Sequence, residues 1–221
     1  MEESGGVISP FAAILAVLAT FVLLMFLGAA LLVLVGDSLT LILGELLVIA
    51  IPLSYMLYKK VNVKDYIGLK IKLKTILLGI AFGIFLLFFN LVVSNILVSI
   101  FGISEAVKDS NQLLSDLSRT SEGLISVIIA LALAGLCEEF TFRGFLQTAI
   151  NSKYPSGVAI VASSIVFGLF HPDPQLVYII AGFLMGLVLG YIYHHWHSYL
   201  ISAIAHSTLN LIVLALLLLL G

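Results

Sequence analysis

Apolar runs of twenty residues and more follow one another along this chain, and they decide what it can become. A helix needs about 20 apolar residues to cross a bilayer. Residues 10–35, 39–58, 75–101, 123–152, 176–194 and 198–220 each supply such a run, and 157–171 forms a shorter one. The chain has 221 residues, of which 62% are hydrophobic and 10% charged. A soluble domain averages about 45–50% apolar and about 25% charged. The sequence therefore predicts an all-α, polytopic transmembrane helical bundle of seven helices, or eight if the long 123–152 run breaks. No polar linker is long enough to divide it, so residues 1–221 are read as a single transmembrane domain. Within it, 10–122 form N-terminal helices and loops, and 123–215 carry the unusual polar residues.

Polar breaks separate the runs. Gly36-Asp37-Ser38 is a tight one, and Pro172 and Pro174 stop the fifth run. Residues 102–122 read as the longest polar loop, mixed in sign. Residues 59–74 hold Lys59, Lys60, Lys64, Lys70, Lys72 and Lys74, six of the ten basic residues. Basic loops stay in the cytoplasm, which places the N-terminus inside and 102–122 outside. Lys153 and the cluster of His194, His195 and His197 around Trp196 then fall inside. This alternation predicts a multi-pass protein, the cell membrane being the expected one, with a cytoplasmic entrance to any site. The first six residues lack the basic stretch of a signal peptide, so the first run is expected to be a retained helix. A net charge of −2 gives no footprint for nucleic acid. The lone Cys137 permits no internal disulfide. Gly182, Gly186 and Gly190, and likewise Gly79 and Gly83, recur every four residues and leave a helix face bare for close packing.

The chemistry sits where the membrane should be emptiest of charge. An ionisable residue in mid-membrane costs about 2.5–3.5 kcal/mol on insertion scales, yet Glu138, Glu139 and Arg143 share one run. Glu139 and Arg143 are four apart and able to pair on one helix face. Glu138 points about 100° away. A carboxylate held in low dielectric near other charges is suited to taking a proton from water. Phe167 and His171 lie one turn apart, as do His206 and Asn210. Glu138 and His171 each stand 14 residues, about 21 Å of helix, from the same side of the membrane. His206 is about 12 Å in from that side. All fall within a core ~30 Å thick. Glu45 and Asn90 also lie inside apolar runs, either reaching the site or bonding between helices.

Glu138-Glu139-x-x-x-Arg143, Phe167-x-x-x-His171 and His206-x-x-x-Asn210 together resemble the three motifs of the CPBP intramembrane proteases. This is the CAAX prenyl endopeptidase and bacteriocin-processing group, also called Abi. The resemblance implies an endopeptidase acting on a peptide or protein within the lipid bilayer. It implies Glu138 as the base that activates water, assisted by His171. Glu139 and Arg143 would hold the site, and His206 and Asn210 would position water or donate to the oxyanion. No cofactor is expected, with zinc as the alternative, since two histidines and a glutamate are a legitimate zinc set. His-Glu-x-x-His is absent, so spacing does not force a metal. Two other classes stay open: a non-proteolytic immunity or signalling adaptor on the same scaffold, and a proton-relaying transporter. The substrate, whether a prenylated C-terminus, a bacteriocin leader or another peptide, is not legible.

Overall fold

The structure, a computed structural model, describes residues 7–220. The first six residues, read above as lacking a signal-peptide start, lie outside the described residues. Helices make up all the regular structure among the described residues. Five of them are long and apolar enough to cross a membrane. The abundant exposed apolar side chains, Phe11, Phe26 and Phe88 among them, are then lipid contacts rather than a solvent-facing surface.

The first helix, α1 (Pro10–Tyr58), runs 49 residues. A straight rod of that length would reach about 74 Å, far more than a bilayer core of ~30 Å. It breaks at Gly36, where φ is 76° and ψ 176°, a backbone combination open to glycine. The two arms turn back on each other, Leu27, Leu31 and Leu34 sharing one apolar cleft with Leu43, Leu46 and Leu47. The two expected spans are thus a helical hairpin. A four-residue helix, α2 (Val63–Tyr66), follows in the lysine-rich loop, and α3 (Leu73–Phe101) crosses next.

Residues 102–122 correct the expectation of a loop. They contain α4 (Glu105–Leu117), capped by Ser104, whose Oγ accepts from the Val107 N–H at 3.2 Å. Their polarity reflects a helix lying at the membrane surface with one face turned in. The next helix, α5 (Ser121–Asn151), is continuous over 31 residues. It does not break, but it widens into a π-helix over Phe140–Gln147, directly after the two glutamates. A short α6 (Ser156–Leu169), α7 (Val177–Trp196) and α8 (Tyr199–Leu220) complete the bundle. With the arms of α1 taken separately and α6 added, the bundle has the seven apolar arms expected.

Small residues set the closest packing. α3 lies along α8, α6 along α7, and α5 between α8 and the α1 hairpin. A Cβ on Gly79 would sit 2.6 Å from Ile204 Cβ, and one on Gly83 2.5 Å from Thr208 Cβ. A Cβ on Gly186 would meet Ser164 at 2.9 Å. The four-residue glycine spacing is therefore a packing device, as the sequence suggested. The main core joins both arms of α1, through Val17 and Met56, to Phe142, Phe145 and Leu146 of the π segment.

The two ends of the bundle differ. At one, the lysine-rich loop docks on the α7–α8 turn: Tyr199 N donates to Ile67 O at 3.3 Å, and Lys74 Nζ stands 6.0 Å above the Trp196 ring. At the other lie α4 and the loop from His171 to Leu176.

Candidate active site

The π segment is fastened at three points by its polar side chains. Thr141 donates to Val48 O of α1 at 2.9 Å. Arg143 Nη2 donates to Gly186 O at 3.2 Å, and Gln147 Nε2 to Gly190 O at 2.9 Å, both on α7. The bare glycine face of α7 lets these side chains reach backbone carbonyls. π turns are frequent at functional sites, and this one begins next to Glu139.

Glu139 and Arg143 are both fully buried, and Arg143 Nη1 lies 2.8 Å from Glu139 Oε1. The contact is close by distance, but Nη1 and Nε make no aligned hydrogen bond. The guanidinium also lies over the face of Phe167, 4.3 Å from its centroid. Burying two charges is tolerable only with such neighbours. His206 Nδ1 meets the same Glu139 Oε1 at 3.2 Å. Its other nitrogen, Nε2, stands 3.9 Å from Glu138 Oε2. The first distance is a hydrogen bond and the second is too long for one. His206 therefore bridges the two glutamates, held by one and facing the other. Glu138 keeps 16% of its side chain exposed, whereas Glu139 keeps none.

His171 lies just past the end of α6. Its Nδ1 is 2.9 Å from Phe167 O. A carbonyl only accepts, so Nδ1 carries the proton and Nε2 presents its lone pair. No ion pair joins His171 to either glutamate among the described residues. It meets the site through Phe167 and a shared cavity. Phe167 packs edge-on against both imidazoles, with centroids 5.0 Å from His171 and 5.9 Å from His206. Asn210 Nδ2 makes only a long 3.4 Å bond to Leu131 O, leaving its second N–H free.

His171, His206 and Asn210 line one cavity of about 430 Å³ with Asn90, Asn111 and Tyr178. All six sequence-derived candidates thus fall in one region, the histidines and Asn210 on the cavity wall and the charged residues behind them. Sequence reasoning missed how central Phe167 is, although its one-turn spacing from His171 was the signal. It also left Asn90 and Glu45 open. Asn90 is on the cavity wall. Glu45 reaches the glutamate side from α1, close enough for its charge to act on Glu138, with a buried Oε2 that has no hydrogen-bond partner. Cys137 is a buried free thiol. Among the described residues, no three His, Cys, Asp or Glu side chains gather as a metal ion would require.

The loop that carries His171 is pinned by Asp173. Burial opposes charge on Asp173. Hydrogen bonds from the Tyr178 and Gln175 N–H groups and the Ser104 hydroxyl outweigh it and hold the carboxyl below the ordinary carboxylate range.

Residues 120–212 match the family model described as Type II CAAX prenyl endopeptidase Rce1-like. Over this region the chain is similar to the Rce1-like family. The match spans all three motifs and bears out the resemblance seen in them. An Rce1-like region in a bundle of apolar helices supports an integral membrane protein and a protease acting on a peptide. No curated protein and no solved structure matches the chain.

Proposed function

We propose that the protein is an intramembrane endopeptidase in which Glu138 activates water without a metal. The observation that carries the reading is His206, which bridges Glu139 at 3.2 Å and Glu138 at 3.9 Å on the wall of a cavity. The wider gap is one that a water is able to bridge. Glu138 takes a proton from that water, aided by the lone pair of His171 Nε2. The hydroxide oxygen attacks the scissile carbonyl carbon, and the C=O electron pair moves onto oxygen. Asn210 donates to this oxyanion, where such donors contribute most to rate, while the lone pair of His206 Nε2 accepts from the water and positions it. As the oxyanion collapses, the C–N bond breaks and Glu138 returns its proton to the departing amine. One water is consumed, and one carboxyl and one amine are released. Glu139 and Arg143 touch no substrate; they hold the ring of His206 in place through its Nδ1.

Glu138→Gln keeps size and hydrogen bonding but removes the base. Cleavage should fall at least 10²-fold, the lower end of what general-base catalysis contributes, while the protein still inserts. Comparative peptide mapping of cells carrying either form measures this. Unchanged cut sites would refute the assignment. If biological activity also persisted unchanged, the adaptor reading would replace it. A strong chelator separates the zinc version: the metal-free site keeps its activity, and the zinc site loses it until zinc is restored.

A further inference from the structure

The cavity has an open end and a closed end, and the charges of the chain tell which side of the membrane each faces. From the two imidazoles the lining runs one way only. On α8 it continues from Asn210 to Leu217, and on α3 it takes in Asn90, Ser94 and Val98, all toward the end where α4 lies. Val107, Asn111 and Leu114 of α4 form its rim. In the opposite direction the way is shut. Phe142, Phe145 and Ser163 are fully buried and Gln147 nearly so. Gln147 is locked by bonds to Gly190 O and from Ser163 Oγ at 3.2 Å. Beyond that floor come Tyr193 and Thr148, hydrogen-bonded at 2.8 Å, and then the lysine-rich end. A cytoplasmic entrance, expected from the sequence, would have to pass through this packed layer.

The floor end carries six of the ten basic residues in 59–74, with Lys153 beside them. The open end carries only two, and each is held by an acid of its own helix or turn: Lys108 by Glu105 at 2.7 Å, and Arg119 by Asp116 at 3.1 Å. Loops rich in lysine and arginine stay in the cytoplasm. We infer that the catalytic cavity opens to the extracytoplasmic face and receives a membrane-anchored peptide presented there, not a chain end offered from the cytoplasm. The peptide half of this inference rests on the protease reading; the sidedness does not. A cavity of about 430 Å³ is the size of a small-ligand pocket and admits an unfolded segment, not a folded domain. Asn90, Asn111 and Asn210 come from three helices and offer both donors and acceptors to an extended backbone. Between them, Leu97, Met185 and Val213 give apolar wall for its side chains.

Two measurements on the full chain in cells test this. Asn111 and Lys64 are both exposed, one at the rim of the cavity and one in the lysine-rich loop. Cys137 is buried, so the unsubstituted chain is the unlabelled control. A membrane-impermeant maleimide should label Asn111→Cys on intact cells, and Lys64→Cys only after permeabilisation. The reverse pattern would overturn the inference. In peptide maps, cuts lost with Glu138→Gln should lie on the extracytoplasmic side of their substrates' membrane anchors. Cuts in cytoplasmic segments would also overturn it. A map with no Glu138-dependent cut removes the protease reading and the peptide with it, while the labelling still decides which face the cavity meets.

Discussion

Arg143 is the largest fully buried side chain among the described residues, and three different contacts make that possible. Glu139 supplies the countercharge at 2.8 Å, Gly186 an acceptor at 3.2 Å, and Phe167 a π face at 4.3 Å. Removing one partner of a buried pair leaves the other uncompensated, at a cost of about 3–5 kcal/mol. Arg143→Met should therefore lower the unfolding temperature in detergent steeply. Adding Glu139→Gln to it should recover part of the loss, because the orphaned charge goes too. A single variant as stable as the parent would show that the pair is not what holds α5. The Glu139–Arg143 pair was legible in the sequence because four residues make one helical turn. The fit of Phe167 between Arg143 and both imidazoles was not, since one aromatic in an apolar run looks like any other until three helices meet around it.

At the scale of elements, what the sequence hid was placed by capping and by the surface. α4 was read as a loop because its polar content outweighs its one apolar face. The signals were Ser104 as a cap and Val107 and Leu114 seven residues apart. The π segment has no signature in spacing, because Phe140 to Gln147 fits an ordinary helix as well. Asp173 couples two elements: its Oδ2 accepts from Tyr178 N at 2.9 Å and its Oδ1 from Gln175 N at 3.0 Å, at the start of α7. Its carboxyl is held below the ordinary range, so its contribution to stability is full above about pH 4. That contribution is lost as pH falls through the lowered value. A hydrogen bond to a charged group contributes about 1.5–3 kcal/mol. Asp173→Ala should thus lower thermal stability at pH 7 by an amount of that order, and the gap from the parent should narrow at pH 3. A gap that stays constant across this range would mean that the charge contributes nothing.

The whole molecule is needed to close the site, although the family match begins only at residue 120. The motif region carries the groups proposed to react, but the residues before it supply the walls. Val48 of α1 accepts the hydrogen bond that anchors Thr141 beside the glutamates, and Val17 and Met56 share the core of Phe142. α3 seals one flank of α8 at Gly79 and Gly83, against Ile204 and Thr208, on either side of His206 in the chain. Asn90 then completes the cavity wall. Without these helices the Glu139–Arg143 pair would meet lipid on the α1 side, where unpaired charge is most expensive. A chain of residues 119–221 alone should insert but cut nothing, and its Glu138 substitution should have no further effect. Co-expression with residues 1–118 as a separate chain should restore cleavage, because the break falls in the exposed turn after α4 and helices that insert independently still pack in the bilayer. Full activity from the C-terminal fragment alone would mean that the α1 hairpin and α3 are accessory, and that the site closes against lipid without them.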